Sequence, residues 1–344
     1  MTEQFDKKNR KRNLQIEGLR GISILIILIY HLIDRYQQIY LETSVPWMDM
    51  WGTLGTTAFL MISAYFLIDL KNNEISLSRA ISIFLKKILR LWPCYAICIT
   101  ITFMVSYILS LPGRTVTFVD YILNLFMVNR FLGAPYVDGA HWYLSVLLSV
   151  SIIILIFRIL KIQHICGTYI IWLLVELLID KFSPFRNMYI LGGPFVGVIC
   201  TGIALKNVMA LISSDYDDYK NKAVIKWFGV FLISVFCTYV SRGWICAIEL
   251  LAITVVFGLC VLQRIPILAK PFFVFIGMIS YPLYLIHQNI GFMIEIKLSE
   301  LIGLWNYSIG FVAVFVTIIL GIVLFYLVEQ PIQNKLSKTL LKKL

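Results

Sequence analysis

The feature that most constrains this chain is a series of apolar segments, most of them about 20 residues long, that recurs from Gly18 to Val328. A helix needs about 20 apolar residues to cross the ~30 Å hydrocarbon core of a bilayer. Hydrophobic residues make up 60% of the 344 residues and charged residues only 14%, which is atypical of a soluble domain. The sequence therefore predicts an all-α, polytopic membrane bundle that occupies residues 1–344 as one domain, without an appended soluble domain.

Hydropathy and span length predict about ten spans. They are residues 14–36, 51–70, 84–110, 142–160, 166–180, 188–206, 225–241, 243–262, 271–297 and 305–328. The stretch 117–132 is apolar but short, which favours an interfacial or re-entrant helix. Most of the 30 Lys and Arg residues fall in loops on the same side as the N-terminus, so we predict that both termini are cytoplasmic. The net charge of +11 is accordingly attributed to an excess of basic residues in the cytoplasmic loops, and not to a nucleic-acid-binding surface.

The first span, EGLRGISILIILIYHL, contains two ionisable side chains, Arg20 and His31. An ionisable group in the hydrocarbon costs several kcal/mol unless it faces protein or water. On a regular helix the spacing of Arg20 and His31 places both on one face, ~16 Å apart along the axis. His31 is therefore a candidate catalytic residue, and Asp34, one turn beyond, is a candidate to orient its imidazole. A snorkelling arginine, a packed histidine and a helix-end carboxylate are the structural alternatives.

Three of the four histidines fall in the predicted outer half of a span: His31, His141 and His287. His164 lies in a predicted inner loop. Imidazole is well suited to take a proton from a hydroxyl group near neutral pH. We therefore predict that His141 and His287 line a cavity that receives a substrate. The alternatives are an aromatic-belt position for His141, next to Trp142, and a structural role for His287.

Other ionisable residues in or near the spans complete the set of candidates. Glu176 and Glu249 lie within predicted spans, and we predict that they bind substrate hydroxyls. Lys87 and Arg90 share a helix face near the predicted inner surface, where, with Arg20, they suit the phosphates of an anionic cofactor such as coenzyme A. Positive-inside flanking or lipid binding is the alternative. The seven cysteines form no CxxC pair, so no metal is expected.

Several segments resemble, in order, the motifs of the membrane acyltransferase-3 family. LRG followed by an apolar run and YH resembles the opening signature, and GTTAFLMISAYFL, KKILRLWP, HWYLSVLLS, ISYPLYLIH and VEQP resemble later motifs. The chain departs from the family pattern in its RxxR motif, where Lys87 replaces the first arginine. A glutamate that many members carry after the tryptophan motif is also absent, and Val146, Leu147 and Leu148 occupy that zone.

The resemblance implies an integral O-acyltransferase of the bacterial cell membrane. Its expected reaction moves an acetyl group from acetyl-coenzyme A to a hydroxyl of a surface or capsular polysaccharide, or of the lipid-linked precursor. The donor would be held at the cytoplasmic face by Arg20, Lys87 and Arg90, and His31 would be the general base or the acyl carrier. A transporter or flippase for an oligosaccharide or small anion, a catalytically inactive family member and a succinyl donor remain alternatives.

Overall fold

The structure is a computed structural model that describes residues 13–70, 74–184, 186–212 and 218–339. Every regular element in these ranges is helical. The α-helices are α1 (Leu14–Ile29), α2 (Tyr36–Tyr40), α3 (Asp49–Leu67), α4 (Leu77–Ile108), α5 (Phe118–Leu125), α6 (Trp142–Ile159), α7 (Cys166–Phe182), α8 (Val196–Ile212), α9 (Asp218–Arg242), α10 (Trp244–Val261), α11 (Pro271–Met278), α12 (Ser280–Ile302), α13 (Tyr307–Leu324) and α14 (Gln330–Thr339).

Several basic residues behind the predicted orientation lie outside the described residues. They are the cluster at residues 7–12, together with Lys71, Lys342 and Lys343. The cytoplasmic placement of both termini therefore stays a prediction.

Eight helical segments of the described chain are long and apolar enough to cross a membrane, and the broken pair α11–α12 makes a ninth if it forms one span. These nine coincide with nine of the predicted spans. The tenth predicted span, 166–180, corresponds to α7, whose 17 residues are one fewer than those of the shortest of these nine. The predicted count of about ten is therefore not confirmed. Helix α5, within the apolar stretch 117–132, has only eight residues and is too short to cross.

Large apolar side chains lie exposed in the middle of these helices. Phe236 on α9 is 58% exposed, Val255 on α10 is 63% exposed and Phe315 on α13 is 64% exposed. Extended apolar surface of this kind is unusual on a soluble monomer, but it is what lipid tails contact on a membrane-spanning helix. Together with the spans, it identifies a multi-pass membrane protein.

The chain divides into two compact units. The first unit comprises Met1–Ser23, Thr53–Leu77 and Val146–Gly277, and the second comprises Ile24–Gly52, Ser78–Ser145 and Met278–Leu344. In the first unit, α9 packs against α7, α8 and α10. In the second unit, α12 packs lengthwise against α13. Each unit therefore has its own helical core.

Glycines allow two backbones of the first unit to touch. A Cβ atom on Gly21 of α1 would lie 2.1 Å from the carbonyl oxygen of Phe273, and one on Gly277 would lie 2.0 Å from the carbonyl oxygen of Glu17. Any side chain would occupy the same space as the opposing backbone. Small residues are the usual means by which membrane helices approach this closely. The crossing explains why glycine follows Arg20 in the LRG segment.

In the second unit, helix α1 passes into a π-helical turn, Tyr30–Arg35, before α2 begins. A π turn contains more residues than an α turn and so redirects the side chains that follow it. The common face predicted for Arg20 and His31 assumed a regular α-helix, and that assumption fails beyond Ile29. The turn packs tightly, because a Cβ atom on Gly291 would lie 2.3 Å from Leu32 Cδ2.

Candidate functional site

Two of the candidate site histidines lie side by side in the second unit. The ring centroids of His31, in the π turn, and His287, in α12, lie 5.0 Å apart. Nδ1 of His31 and Nε2 of His287 are both buried, and neither has a hydrogen-bond partner among the described residues. Buried polar atoms in folded proteins are nearly always paired, so unpaired nitrogens on adjacent rings mark a place where another molecule can bind.

The hydrogen bonding of His287 determines which ring nitrogen can act as a base. Nδ1 of His287 lies 2.8 Å from the carbonyl oxygen of Tyr284. A carbonyl oxygen only accepts hydrogen bonds, so Nδ1 carries the hydrogen. In the neutral ring the lone pair therefore resides on Nε2, the nitrogen without a partner. His287 is fully buried, and its backbone and tautomer are both held in place by α12.

His141 lies in the same unit, at the end of the short 3-10 helix Gly139–His141 that precedes α6. Its Nε2 lies 2.9 Å from the carbonyl oxygen of Leu285, so Nε2 is the donor and the lone pair resides on Nδ1. Nδ1 is buried without a partner in the described chain. The ring of Tyr284 neighbours both histidines, with its centroid 6.1 Å from that of His141 and 6.2 Å from that of His287.

Asp138 and His141 together bind across one turn of α12. In a regular α-helix the Asn289 N–H would donate to the Leu285 carbonyl. In addition, the Asn289 N–H donates to Asp138 Oδ2 at 3.0 Å, and the Leu285 carbonyl accepts from His141. The second oxygen, Asp138 Oδ1, accepts from the Ala140 N–H at 2.9 Å. This clamp fixes the 3-10 helix to the turn of α12 that contains His287.

Asp34 does not orient His31, contrary to the sequence-based expectation. Its Oδ1 accepts a hydrogen bond from the Val45 N–H at 2.6 Å, and its Oδ2 accepts one from Gln38 Nε2 at 2.8 Å. A hydrogen bond between Asp34 and His31 is absent from the described residues. Because Asp34 is fully buried, these two donors are what satisfy its charge. The carboxylate therefore ties the loop after α2 to the π turn.

The three predicted cations lie on two helices. Arg20 of α1 forms an ion pair with Glu17 of the same helix, at 3.2 Å between NH1 and Oε2. Lys87 and Arg90 lie three residues apart on α4, and Arg90 is exposed. The spacing places both on one side of α4, as predicted. Arg20 belongs to the first unit, whereas Lys87 and Arg90 belong to the second.

Glu176 and Glu249 are both in the first unit, and both are buried. Glu249 Oε1 accepts a hydrogen bond from Thr53 Oγ1 at 2.7 Å. The other oxygen of Glu249 and Oε2 of Glu176 have no partner in the described ranges. The histidine cluster is built from the second unit alone. Within the described residues, no group of three His, Cys, Asp or Glu side chains is arranged to hold a metal ion.

Sequence reasoning missed Asp138 and Tyr284, and it also missed the polar neighbours Gln288 and Asn289. Signals for some of them were present. An aspartate immediately before a helix is a common start signal, and Asp138 stands just before Gly139–His141. Three consecutive polar residues, His287 to Asn289, interrupt the apolar stretch in the first part of α12. The partners of Asn289, however, lie more than 140 residues away along the chain.

Comparison with known proteins identifies the family. Residues 13–327 match the family model described as an acyltransferase domain, that of the acyltransferase-3 family. No curated protein and no solved structure matches the chain. The match covers nearly the whole chain, including both helices that carry the His31–His287 pair. The chain belongs to the acyltransferase-3 family of membrane acyltransferases.

Proposed function

We propose that this protein is an O-acyltransferase of the bacterial cell membrane. In this proposal it moves an acetyl group from acetyl-coenzyme A to a hydroxyl of a surface polysaccharide or of its lipid-linked precursor. Family membership supports a membrane acyltransferase. The observation that carries the proposal further is the His31–His287 pair, in which each ring has a buried nitrogen with no partner among the described residues.

His31 is proposed as the general base. It takes the proton from the acceptor hydroxyl while the hydroxyl oxygen attacks the thioester carbonyl, and a C–O bond forms. When the resulting intermediate collapses, the C–S bond breaks, and the leaving thiolate of coenzyme A takes the proton back from the imidazolium. His287 Nε2 has a lone pair and lies on the adjacent ring, so it can stabilise protonated His31 by accepting a hydrogen bond.

The remaining candidate residues are assigned by charge and burial. Lys87 and Arg90 of the second unit are proposed to bind the donor phosphates, because guanidinium and ammonium groups are the side chains that pair best with phosphate. Arg20 of the first unit is kept as a separate phosphate-binding candidate. His141 of the second unit is proposed to bind the acceptor, since its Nδ1 is buried without a partner in the described chain. Glu176 and Glu249 of the first unit, each with a buried carboxylate oxygen without a partner in the described chain, are kept as separate candidates for binding substrate hydroxyls.

The test uses the full chain, purified in lipid nanodiscs, with labelled acetyl-coenzyme A and the polysaccharide fraction of the host envelope. Release of coenzyme A and transfer of label are measured for the wild type, His31→Gln and His287→Gln. Loss of a positioned base costs about 10²–10⁴ in rate, so we expect His31→Gln to be essentially inactive. Because His287 acts through His31, the rate of acyl transfer by His287→Gln should fall by a smaller factor.

His164→Gln is the matched control. His164 lies in the loop before α7, where its Nε2 is 3.0 Å from Gln163 Nε2. Burial lowers the pKa of His164 from its usual value, so the substitution removes a neutral imidazole outside the proposed site. We expect wild-type rates. Near-normal transfer by His31→Gln would contradict the assignment of the base, and a wild type that never releases coenzyme A would favour a transporter.

A further inference from the structure

Arg114 is a half-buried cation in the loop between α4 and α5. Its Cζ lies 5.7 Å from the centroid of the Phe292 ring on α12, and its NH1 lies 3.0 Å from the point that a Cβ atom of Gly139 would occupy. The Tyr40 hydroxyl lies close enough to interact with the guanidinium. Three elements of the second unit thus hold this side chain in place.

The charge of Arg114 is not neutralised by the protein. No carboxylate of the described residues lies within ion-pair distance of its guanidinium. Removing a cation from water without a counter-ion costs free energy, and the cation–π contact with Phe292 offsets only part of that cost. A cation held in this way fits an anionic ligand.

The surroundings of Arg114 connect it to the histidine cluster. The amide of Gln288 also lies beside Gly139, with Oε1 at 3.4 Å and Nε2 at 3.5 Å from the same Cβ position. Gln288 is only 4% exposed, its Oε1 has no partner among the described residues, and it directly follows His287. His31 lies within the range over which its charge interacts with that of Arg114. A cation and a buried amide therefore meet beside Gly139, on the part of α12 that also contains His287.

We propose that Arg114 and the Gln288 amide bind a negatively charged group of the acyl acceptor and so place the acceptor hydroxyl at His31. This inference rests on the proposed acyltransferase function and narrows it to acceptors that carry an anion. The anion is a carboxylate, as in a uronic acid, or a phosphate, as in a sugar phosphate. Both present oxygens that a guanidinium binds in a two-pronged arrangement.

Equilibrium binding tests this inference without any catalysis. The full chain is placed in nanodiscs of phosphatidylcholine, so that no anionic lipid competes. The probes are a tetrasaccharide of alternating glucuronic acid and glucose, its carboxyl-reduced neutral counterpart, and glucose 1-phosphate. We expect one or both acidic probes to bind more tightly than the neutral one. Preference for the tetrasaccharide would identify a carboxylate, and preference for glucose 1-phosphate would identify a phosphate.

Variants of Arg114 then assign the binding to this residue. Arg114→Gln should weaken the binding of the acidic probe by about 10–100-fold, which corresponds to the loss of one charged hydrogen-bonded contact. It should also reduce the dependence of that affinity on salt concentration. Arg114→Lys should retain part of the affinity. Lys297→Gln is the matched control, because Lys297 is a cation of the same unit that already pairs with Glu300 at 2.7 Å. We expect Lys297→Gln to bind the acidic probe with the affinity of the wild type.

Failure of this inference is distinct from failure of the proposed function. Equal affinity of wild type and Arg114→Gln for the acidic probes would overturn the inference, as would equal binding, or no binding, of all three probes by the wild type. Unchanged probe affinity with slower release of coenzyme A would also overturn it, by placing the guanidinium at the reacting thioester. Release of coenzyme A by the wild type tests the proposed function separately.

Discussion

Replacing Gly21 by alanine tests the backbone contact on which the first helix depends. The new Cβ atom would lie 2.1 Å from the Phe273 carbonyl oxygen and 2.9 Å from the Gly277 nitrogen. Real Cβ contacts are essentially never below 3.0 Å, so the two backbones must separate by about 1 Å. Overpacking of this kind typically costs about 1–3 kcal/mol. At about 2.1 cal/mol/K per residue, a chain of 344 residues shifts by about 1.4 °C per kcal/mol, so the unfolding temperature should fall by about 1–4 °C.

Gly229→Ala provides the matched control for this substitution. Gly229 also lies inside a long helix, α9, but a Cβ atom there would meet nothing within 4 Å. Alanine favours the helix over glycine by about 0.5–1 kcal/mol, so this variant should be as stable as the wild type or slightly more stable. The assay is the thermal unfolding of detergent-solubilised protein, followed by tryptophan fluorescence.

A double substitution makes the test sharper. Gly277 faces the same crossing, so Gly277→Ala should destabilise the protein by a similar amount. Once one methyl group has separated the backbones, the second has less to displace, and the two effects should sum to less than their separate values. The reasoning is refuted if Gly21→Ala unfolds at the same temperature as Gly229→Ala, or if the two effects are fully additive.

Three further predictions concern the clamp, the donor site and the orientation. Asp138→Asn replaces one acceptor oxygen by a donor and loses a charged hydrogen bond worth about 1.5–3 kcal/mol. The unfolding temperature and the rate of acyl transfer should therefore both fall, and wild-type values for both would refute the clamp. Arg90→Ala should weaken acetyl-coenzyme A binding by about 10–100-fold in a direct titration, whereas unchanged affinity would indicate lipid anchoring. Reporter fusions after Asp218 and after Lys338 should both be cytoplasmic, and an external signal at either would contradict the predicted orientation.

The helices were largely predictable from the sequence because hydropathy is a local property. Nine of the predicted spans coincide with helices of the described chain that can cross a membrane. The tenth predicted span, which corresponds to α7, is not confirmed. Its residues are apolar enough to suggest a span, but the helix ends at Phe182 after 17 residues. Where a helix ends depends on its caps and its neighbours, which a hydropathy average does not contain.

The candidate site was predictable only in part. Sequence reasoning brought His31, His141 and His287 to one depth, and the second unit does contain all three. It predicted that Asp34 orients the His31 imidazole because the two are three residues apart. Spacing along one helix, however, does not account for hydrogen-bond donors from other parts of the chain. The Val45 N–H, eleven residues further along the chain, and Gln38 occupy both oxygens of Asp34.

By itself the sequence determined the helical class, the membrane environment, the family signature and the histidines as candidates. All of these follow from residue type and from spacing within one helix. Only the tertiary structure decided the ring nitrogens that remain without partners, the clamp of Asp138 on Asn289 across 151 residues, and the position of Arg114 beside Gly139. Such contacts join elements that are distant in the chain, so they depend on how helices pack and not on local pattern.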